Sequence, residues 1–239
     1  AELTFNWPNS VRELAGHVLR ISREVSQDVK WIVLAVDKEL TRFPWQALLR
    51  DRENAEEGAQ AKSRIVVSLV PNLGWAGLIL RSSEDQRPYN AGCEAKFGDD
   101  LDKPEHIELV SAVQVDMCHA AESFDSLACL VAHGKLLGKA LPSVTIRGKE
   151  WGPEEWCAFF QRRLAVLHIC WGGVGQSGVL GDIGGLPTCA LGNGCRALLA
   201  PVVEIPPWAA RKLHEKLFLP NGRENFGLRY LAAIEECPA

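Results

Sequence analysis

Five short apolar runs constrain the fold of this chain most, because each has the length and composition of a strand that is buried on both faces. They cover residues 31–36, 65–70, 127–132, 164–169 and 197–203. Segments with the apolar spacing of helices lie between several of them, and strands that alternate with helices favour a parallel sheet. The sequence therefore predicts an α/β fold, a mostly parallel central sheet flanked by helices, in a single domain of residues 1–239.

The segments outside these runs differ in character. Helices are predicted over residues 10–25, from Pro153 to about 163, around Trp208 and over 225–236. Residues 81–108 are polar and rich in charges and turn formers, which predicts a long surface excursion. Residues 171–185 contain seven glycines and predict a long mobile loop at the predicted site, after the fourth strand.

Charge and cysteine content narrow the class of protein. With 26 basic and 30 acidic side chains, the formal charge is −4, which argues against binding of a nucleic-acid backbone by net charge. No apolar stretch approaches the ~18 residues of a membrane span. The eight cysteines include no Cys-x-x-Cys pair of a zinc site. Four of them adjoin apolar runs, as reduced cysteines do, which predicts a cytoplasmic protein: Cys118, Cys129, Cys170 and Cys195.

Two residues with catalytic chemistry stand at the ends of predicted strands. His133 follows the third apolar run, and Cys170 follows the fourth. The carboxyl ends of parallel strands meet at one edge of a sheet, where functional groups collect, and adjacent strands lie about 5 Å apart. If these two strands are neighbours, the imidazole can lower the pKa of the thiol and create a reactive thiolate. The sequence thus predicts Cys170 as a nucleophile and His133 as its base.

Glycines beside this pair indicate where a substrate could approach. Gly134 follows His133, and Gly172 and Gly173 follow Cys170 closely, so side chains do not shield the backbone there. Backbone amides in these segments are candidate oxyanion donors, and we assign the oxyanion hole to the amides of Gly134 and Cys170. The alternative for Cys170 is packing, since a lone cysteine in an apolar strand is usually structural.

The remaining histidines and cysteines have simpler interpretations. His168 is a rival base two residues before Cys170, but side chains at this spacing on a strand stand parallel rather than converge. A hydrogen-bonded position in the core is therefore expected for His168. Surface positions are expected for His17, His106, His119 and His214, and core packing for Cys118, Cys129 and Cys195.

A dinucleotide site is a second hypothesis. Residues 173–178 match the G-x-G-x-x-G fingerprint after a strand, and Glu204 ends the next strand, where a ribose-binding acid could stand. That fingerprint has to open directly into a helix whose N-terminus holds the pyrophosphate. Three more glycines and a proline follow instead, so no helix is expected before about Leu186.

Several segments of the chain carry a resemblance to a known family. They are residues 37–48 with their Pro-Trp-x-x-Leu ending, the His-Gly motif at 131–134, the strand ending in the nucleophile at 167–170, the loop at 181–186 and the strand at 197–203. In this order they resemble the CHAT domain, a bacterial branch of the caspase-like cysteine peptidases related to separase. The resemblance extends from about residue 31 to residue 236.

The resemblance implies a caspase-like three-layer sandwich in which Cys170 attacks a peptide carbonyl and His133 manages the proton, without a metal or organic cofactor. Members of the family are regulated proteases of bacterial signalling and anti-phage defence, and some cleave gasdermin-like pore formers. A protein substrate and a regulatory sensor module or partner chain are thereby implied. Asp182 and Glu204 are the acids nearest the predicted site, and one of them is expected to favour a basic residue before the scissile bond. The alternative is a caspase-like module that binds without cutting.

Overall fold

A computed structural model describes most of the chain. The described residues are 8–25, 29–36, 40, 43–57, 65–70, 92–122, 124–134, 143–161, 164–170, 172–173, 176–177, 183–202, 204–218 and 226–236. Among them, helices and strands alternate along the chain as predicted. No helix in these ranges is long and apolar enough to cross a membrane.

The first four elements form a small unit with a hydrophobic core of its own. Helices α1 (Asn9–Val25) and α2 (Trp45–Glu57) share this core with the strands β1 (Trp31–Ala35) and β2 (Val66–Val70), which pair in parallel. The parallel pairing confirms the prediction for these two apolar runs. The prediction that β1 is buried on both faces is wrong, because Trp31 and Val33 are 49% and 43% exposed.

The central sheet has four parallel strands in the order β10-β7-β4-β3. Their bounds are β3 Gly92–Phe97, β4 Ser126–Val131, β7 Leu164–His168 and β10 Ala197–Leu199. Every residue of β4 is buried, and so is every residue of β7 except the first. Continuous apolar runs form these two strands because each is covered on both faces.

Helices cover both faces of the central sheet. On one face, α3 (Pro104–Ala120), α6 (Pro207–Leu217) and α7 (Phe226–Glu236) share a cluster of buried apolar side chains with β4 and β7. On the other face, α4 (Pro153–Phe160) and α5 (Leu186–Gly192) share a second cluster with the same strands. The predicted α/β fold, a parallel sheet between two layers of helices, is confirmed.

Two short antiparallel hairpins complete the described elements. Strands β5 (Thr145–Ile146) and β6 (Lys149–Glu150) form the first, and β8 (Gln176–Ser177) and β9 (Ile183–Gly184) form the second. Asp99, just after β3, anchors the first hairpin because its carboxylate accepts hydrogen bonds from the turn amides of Arg147 and Gly148, at 2.6 Å each. The second hairpin lies within the glycine-rich segment 171–185, so that segment contains paired backbone.

The predicted surface excursion at residues 81–108 is wrong over its second half. Residues 81–91 lie outside the described residues, whereas residues 92–97 form the edge strand β3 and α3 begins at Pro104. The side chains of Glu94 and Lys96 form an ion pair on β3. Because these charges interrupt the apolar pattern, the sequence did not predict a strand here. The start of α3 follows ordinary helix preferences, with proline in the first turn and Glu105 beside it.

Candidate functional site

His133 and Cys170 follow two adjacent strands of the central sheet at its carboxyl edge. β4 and β7 are adjacent, with Val131 opposite His168, and each of the two candidate residues lies two positions beyond that pair. The amide of Ala132 donates to the carbonyl oxygen of His168 at 3.3 Å, so the segments that continue β4 and β7 remain hydrogen-bonded one residue beyond β4. The condition on which the predicted pair depends, that these two strands are neighbours, is met.

Gly134 lies against the backbone that carries the thiol. A Cβ atom at this position would stand 2.4 Å from Cγ2 of Ile169 and 2.6 Å from the carbonyl oxygen of Cys170. Both distances are far shorter than van der Waals contact, so the packing requires glycine here. The segment after β4 and the segment after β7 therefore touch at the predicted site.

The two candidate side chains make separate contacts. The half-buried ring of His133 packs edge to face on the ring of His106, with 4.5 Å between centroids and 76° between planes. Cys170 is also half-buried and is a free thiol, and its Sγ lies 4.0 Å from the carbonyl oxygen of Ile205. The nucleophile candidate thus stands between the end of β7 and the segment after β10.

His106 is a site residue that sequence reasoning misplaced. A surface position was expected, but the ring is 5% exposed, in the first turn of α3 against His133. Burial, and then the charge on His133, lowers the pKa of His106, so His106 is neutral near pH 7. A signal was present in the sequence, because His106, Leu109 and Val113 share the spacing of the buried stripe of α3.

Two glycine amides near Cys170 donate hydrogen bonds to backbone carbonyl groups. The amide of Gly172 donates to the carbonyl oxygen of Ile169 at 3.0 Å, and that of Gly173 donates to Pro201 at 2.8 Å. The amides of Gly172 and Gly173 are therefore excluded as oxyanion donors, because each already has a backbone acceptor. The assignment to the amides of Gly134 and Cys170 stays a prediction.

Of the two acids predicted to bind substrate, only Glu204 is among the described residues. Glu204 is exposed and directly precedes Ile205, whose carbonyl oxygen contacts the thiol of Cys170. Its carboxylate therefore belongs to a segment that borders the candidate nucleophile. Asp182 lies outside the described residues.

The dinucleotide hypothesis does not fit the backbone of the glycine-rich segment. Gln176 and Ser177, inside the G-x-G-x-x-G match, pair with Gly184 and Ile183 as an antiparallel hairpin. The chain is extended there, and the next helix begins only at Leu186. The fingerprint needs a helix N-terminus at its glycines, and the described residues of the match, 173, 176 and 177, do not form one.

A second cluster of reactive side chains lies in the core, on strands β4 and β7 and helix α6. Cys129, His168 and His214 each place a possible ligand atom within 4.8 Å of the others, and all three are buried. His168 Nε2 and His214 Nδ1 are 3.0 Å apart, a hydrogen bond between the rings. Burial lowers the pKa of His168 to about 4. Burial, with His168 nearby, lowers that of His214 to about 2, so both rings are neutral at pH 7.

Sequence reasoning found only part of this cluster. The predicted core positions of Cys129 and His168 are confirmed, including the hydrogen bond of His168. The predicted surface position of His214 is wrong, because this ring is fully buried among the apolar residues of α6. Positions 129, 168 and 214 share no short spacing, so no motif could have joined them.

The other expectations for cysteines and histidines can be checked against burial. Cys195 is buried as predicted, whereas Cys118 is exposed, so its predicted core position is wrong. Cys118 lies on the solvent side of α3, one residue after the buried Met117. His17 and His119 are exposed, as predicted.

Comparisons with known proteins gave no match. No family model matches the chain, and neither does any curated protein or solved structure.

Proposed function

We propose that this chain is a cysteine endopeptidase in which Cys170 is the nucleophile and His133 is the general base. The observation that carries the proposal is the pairing of β4 with β7, which brings both residues to one edge of the sheet. Each of them follows, by two residues, a member of the paired positions Val131 and His168. The motifs that resemble a CHAT domain point to the same two residues. A cysteine whose thiol is deprotonated by a histidine within hydrogen-bond reach is an established type of nucleophile for peptide cleavage.

The proposed reaction follows from the chemistry of these two groups. His133 takes the proton of the Cys170 thiol, and the thiolate attacks the carbonyl carbon of the scissile peptide. The amides of Gly134 and Cys170 donate to the oxyanion that forms, a contribution of about 3 kcal/mol for a well-placed donor. The imidazolium protonates the leaving amine as the C–N bond breaks, and water then hydrolyses the thioester. No metal or organic cofactor takes part in these steps.

The neighbours of His133 support its role as the group that gains a proton. A second positive charge beside His133 would disfavour its imidazolium form. His106 does not supply one near neutral pH, because burial holds its pKa below the usual value. In the proposed reaction the Cys170 thiol exchanges its contact with Ile205 for a hydrogen bond to the imidazole when substrate binds, because catalytic hydrogen bonds often tighten only then.

The substrate of the proposed peptidase is a protein with a basic residue before the scissile bond. Glu204 supports this choice because its exposed carboxylate belongs to the segment that contacts Cys170. Asp182 is proposed as a second acidic contact. We further propose that cleavage takes place in the cytoplasm during bacterial signalling or anti-phage defence, and that a sensor module or partner chain controls it.

A fluorogenic peptide library tests the proposal on the full chain. We expect cleavage after Lys or Arg, and a fall in kcat/KM of roughly four orders of magnitude for Cys170→Ala, with a similar loss for His133→Ala, since paired catalytic groups fail as a unit. Cys118→Ala is the matched control, because Cys118 is an exposed cysteine on α3, and it should keep full activity. Cleavage by the Cys170→Ala protein would refute the assignment, and cleavage only after apolar or acidic residues would remove the role of Glu204.

A binding module that does not cut is the second candidate. The observation in its favour is that the two side chains contact His106 and Ile205 rather than each other. Alkylation by iodoacetamide at pH 6, mapped by mass spectrometry, separates the two candidates. Preferential labelling of Cys170 over the other seven cysteines indicates an activated thiolate, whereas labelling that follows exposure alone favours the binding module.

A further inference from the structure

Four polar side chains meet in the hydrophobic core between the central sheet and the helices α3 and α6. Cys129, His168 and His214 bring one ligand atom each within 4.8 Å of the others. Asp116 of α3 places its Oδ2 3.7 Å from Nε2 of His214. Cys129 and His214 are 0% exposed and His168 is 6% exposed, whereas the Asp116 side chain is 17% exposed. The three possible ligands thus lie in the core, and the carboxylate lies at its margin.

Among the described residues, two polar atoms of this cluster have no hydrogen-bond partner. One bond joins His168 Nε2 to His214 Nδ1. His214 Nε2 and Asp116 Oδ2 are buried and have no hydrogen-bond partner among the described residues. A buried polar atom left in this state costs about 1–3 kcal/mol, and here two of them face each other just beyond bonding distance. A small movement of the His214 ring would satisfy both.

We propose that Cys129 Sγ, His168 Nε2 and His214 Nδ1 bind a zinc ion, while Asp116 holds the His214 ring by accepting a hydrogen bond from Nε2. Thiolate and imidazole are the usual zinc ligands, at about 2.3 and 2.0 Å. At the corners of a tetrahedron, one such sulfur and two such nitrogens are about 3.3–3.6 Å from one another, which the three atoms reach by side-chain movements. A histidine that binds metal with one nitrogen and donates to a carboxylate with the other is the common arrangement in zinc proteins.

The charges of the proposed site cancel, which a buried site requires. A zinc ion with one thiolate and two neutral imidazoles carries one positive charge, and ionised Asp116 neutralises it. Cys129 releases its proton to solvent as the sulfur–zinc bond forms.

The proposed ion has three protein ligands and a water molecule in the fourth position of the tetrahedron, and its role is structural. It joins α6 to β4 and β7, three elements distant in sequence, at the level of the last residue of β7. Cys170 follows His168 by two residues, so the ion would fix the strand that carries the candidate nucleophile. The site does not depend on the proposed peptidase activity, because its ligands take no part in those steps.

Cobalt spectroscopy of the full chain tests the site. The protein is treated with a chelator, and Co²⁺ is added while absorbance is recorded. We expect one equivalent to give a thiolate-to-cobalt band in the near ultraviolet together with the visible bands of tetrahedral cobalt, and Zn²⁺ to displace it. Cys129→Ala should lose the thiolate band, whereas Cys118→Ala and His119→Ala, which alter exposed groups on α3, should keep it.

A second variant covers the possibility that Cys129→Ala does not fold. Asp116→Asn leaves all three ligands in place and is expected to weaken zinc binding by about 10–100-fold, as loss of a carboxylate behind a ligating histidine does. Circular dichroism in the presence of chelator checks that each variant is folded. A wild-type protein that gives no tetrahedral cobalt spectrum overturns the proposal, and so does a spectrum that survives Cys129→Ala. Equal zinc affinity of Asp116→Asn and wild type would refute the role of the carboxylate.

Discussion

Gly134 is the residue at which the candidate site has the least room. Its neighbours at the missing Cβ position are Cγ2 of Ile169 and the backbone oxygen of Cys170. Ile169 is fully buried in the core, and the oxygen belongs to the chain that positions the thiol. Neither neighbour can move away as the end of a flexible side chain could.

Gly134→Ala is expected to lower both stability and activity. The added methyl group forces apart the segments after β4 and β7, at a cost of about 1–3 kcal/mol in the free energy of unfolding. A displacement of about 1 Å between the reacting groups lowers kcat/KM by roughly 100-fold. Urea unfolding and peptide cleavage measure the two effects.

Gly16→Ala is the matched control for this substitution. Gly16 lies within α1, and its added Cβ would meet the flexible end of Arg52 at 3.2 Å. Alanine is favoured over glycine in a helix by up to about 1 kcal/mol, so this variant should be as stable as wild type or more so. Wild-type stability in the Gly134→Ala protein would show that the two strand exits are not in contact.

The residues of the site were predictable where local sequence carried the signal. His133 and Cys170 could be selected because each directly follows an apolar run, and parallel strands gather such ends at one edge. His106 and His214 could not be assigned partners, because the ring that each contacts comes from a distant part of the chain. Their burial was readable from helical spacing, whereas their neighbours depended on how helices dock on the sheet.

At the scale of single elements, Gln46 of α2 closes one edge of β2. Alternate backbone groups of a strand point to opposite edges, and Val66 donates to the carbonyl oxygen of Lys30 beside β1. On the opposite edge, Gln46 Nε2 donates to the carbonyl oxygen of Ile65 at 2.9 Å, and its Oε1 accepts from the amide of Val67 at 2.7 Å. A side chain that is only 8% exposed thus replaces two hydrogen bonds of a further strand.

Gln46→Met is expected to reduce the free energy of unfolding by about 1–3 kcal/mol. The volume is nearly unchanged, but the amide of Val67 and the carbonyl group of Ile65 lose their partner. Gln114→Met is the control, because Gln114 is exposed on α3, and its effect should stay within about 0.5 kcal/mol. Equal urea midpoints for the two variants would mean that the hydrogen bonds of Gln46 do not stabilise β2.

The elements differ in how visible they were in the sequence. β4 and β7 were predicted because both faces of each strand are buried, which leaves a continuous apolar run. β3 was missed because it is a partly exposed edge strand that carries Glu94 and Lys96. α2 was also missed, since the apolar side chains Trp45, Leu48 and Leu49 stand in its first turns and residues 50–57 are mostly charged.

At the scale of the whole molecule, the described residues bury three apolar clusters, and one of them is separate from the central sheet. Two clusters lie on opposite faces of β4 and β7 and share these strands as a common wall. The third lies among α1, β1, α2 and β2, and its two strands form a sheet of their own. A small core buries a smaller fraction of its surface on folding and is less stable for that reason.

Hydrogen exchange is expected to be faster in the small unit than in the central sheet. The amides of β1 lie in a strand with an exposed face, whereas those of β4 lie among residues that are all buried. Local opening of the small unit costs less free energy than global unfolding, so β1 should exchange at least about tenfold faster than β4. Exchange mass spectrometry on the full chain measures this, with β7 as the internal reference that should follow β4. If β1, β4 and β7 exchange together at one rate, the small core and the central sheet open as one cooperative structure, and the separation of the clusters has no energetic consequence.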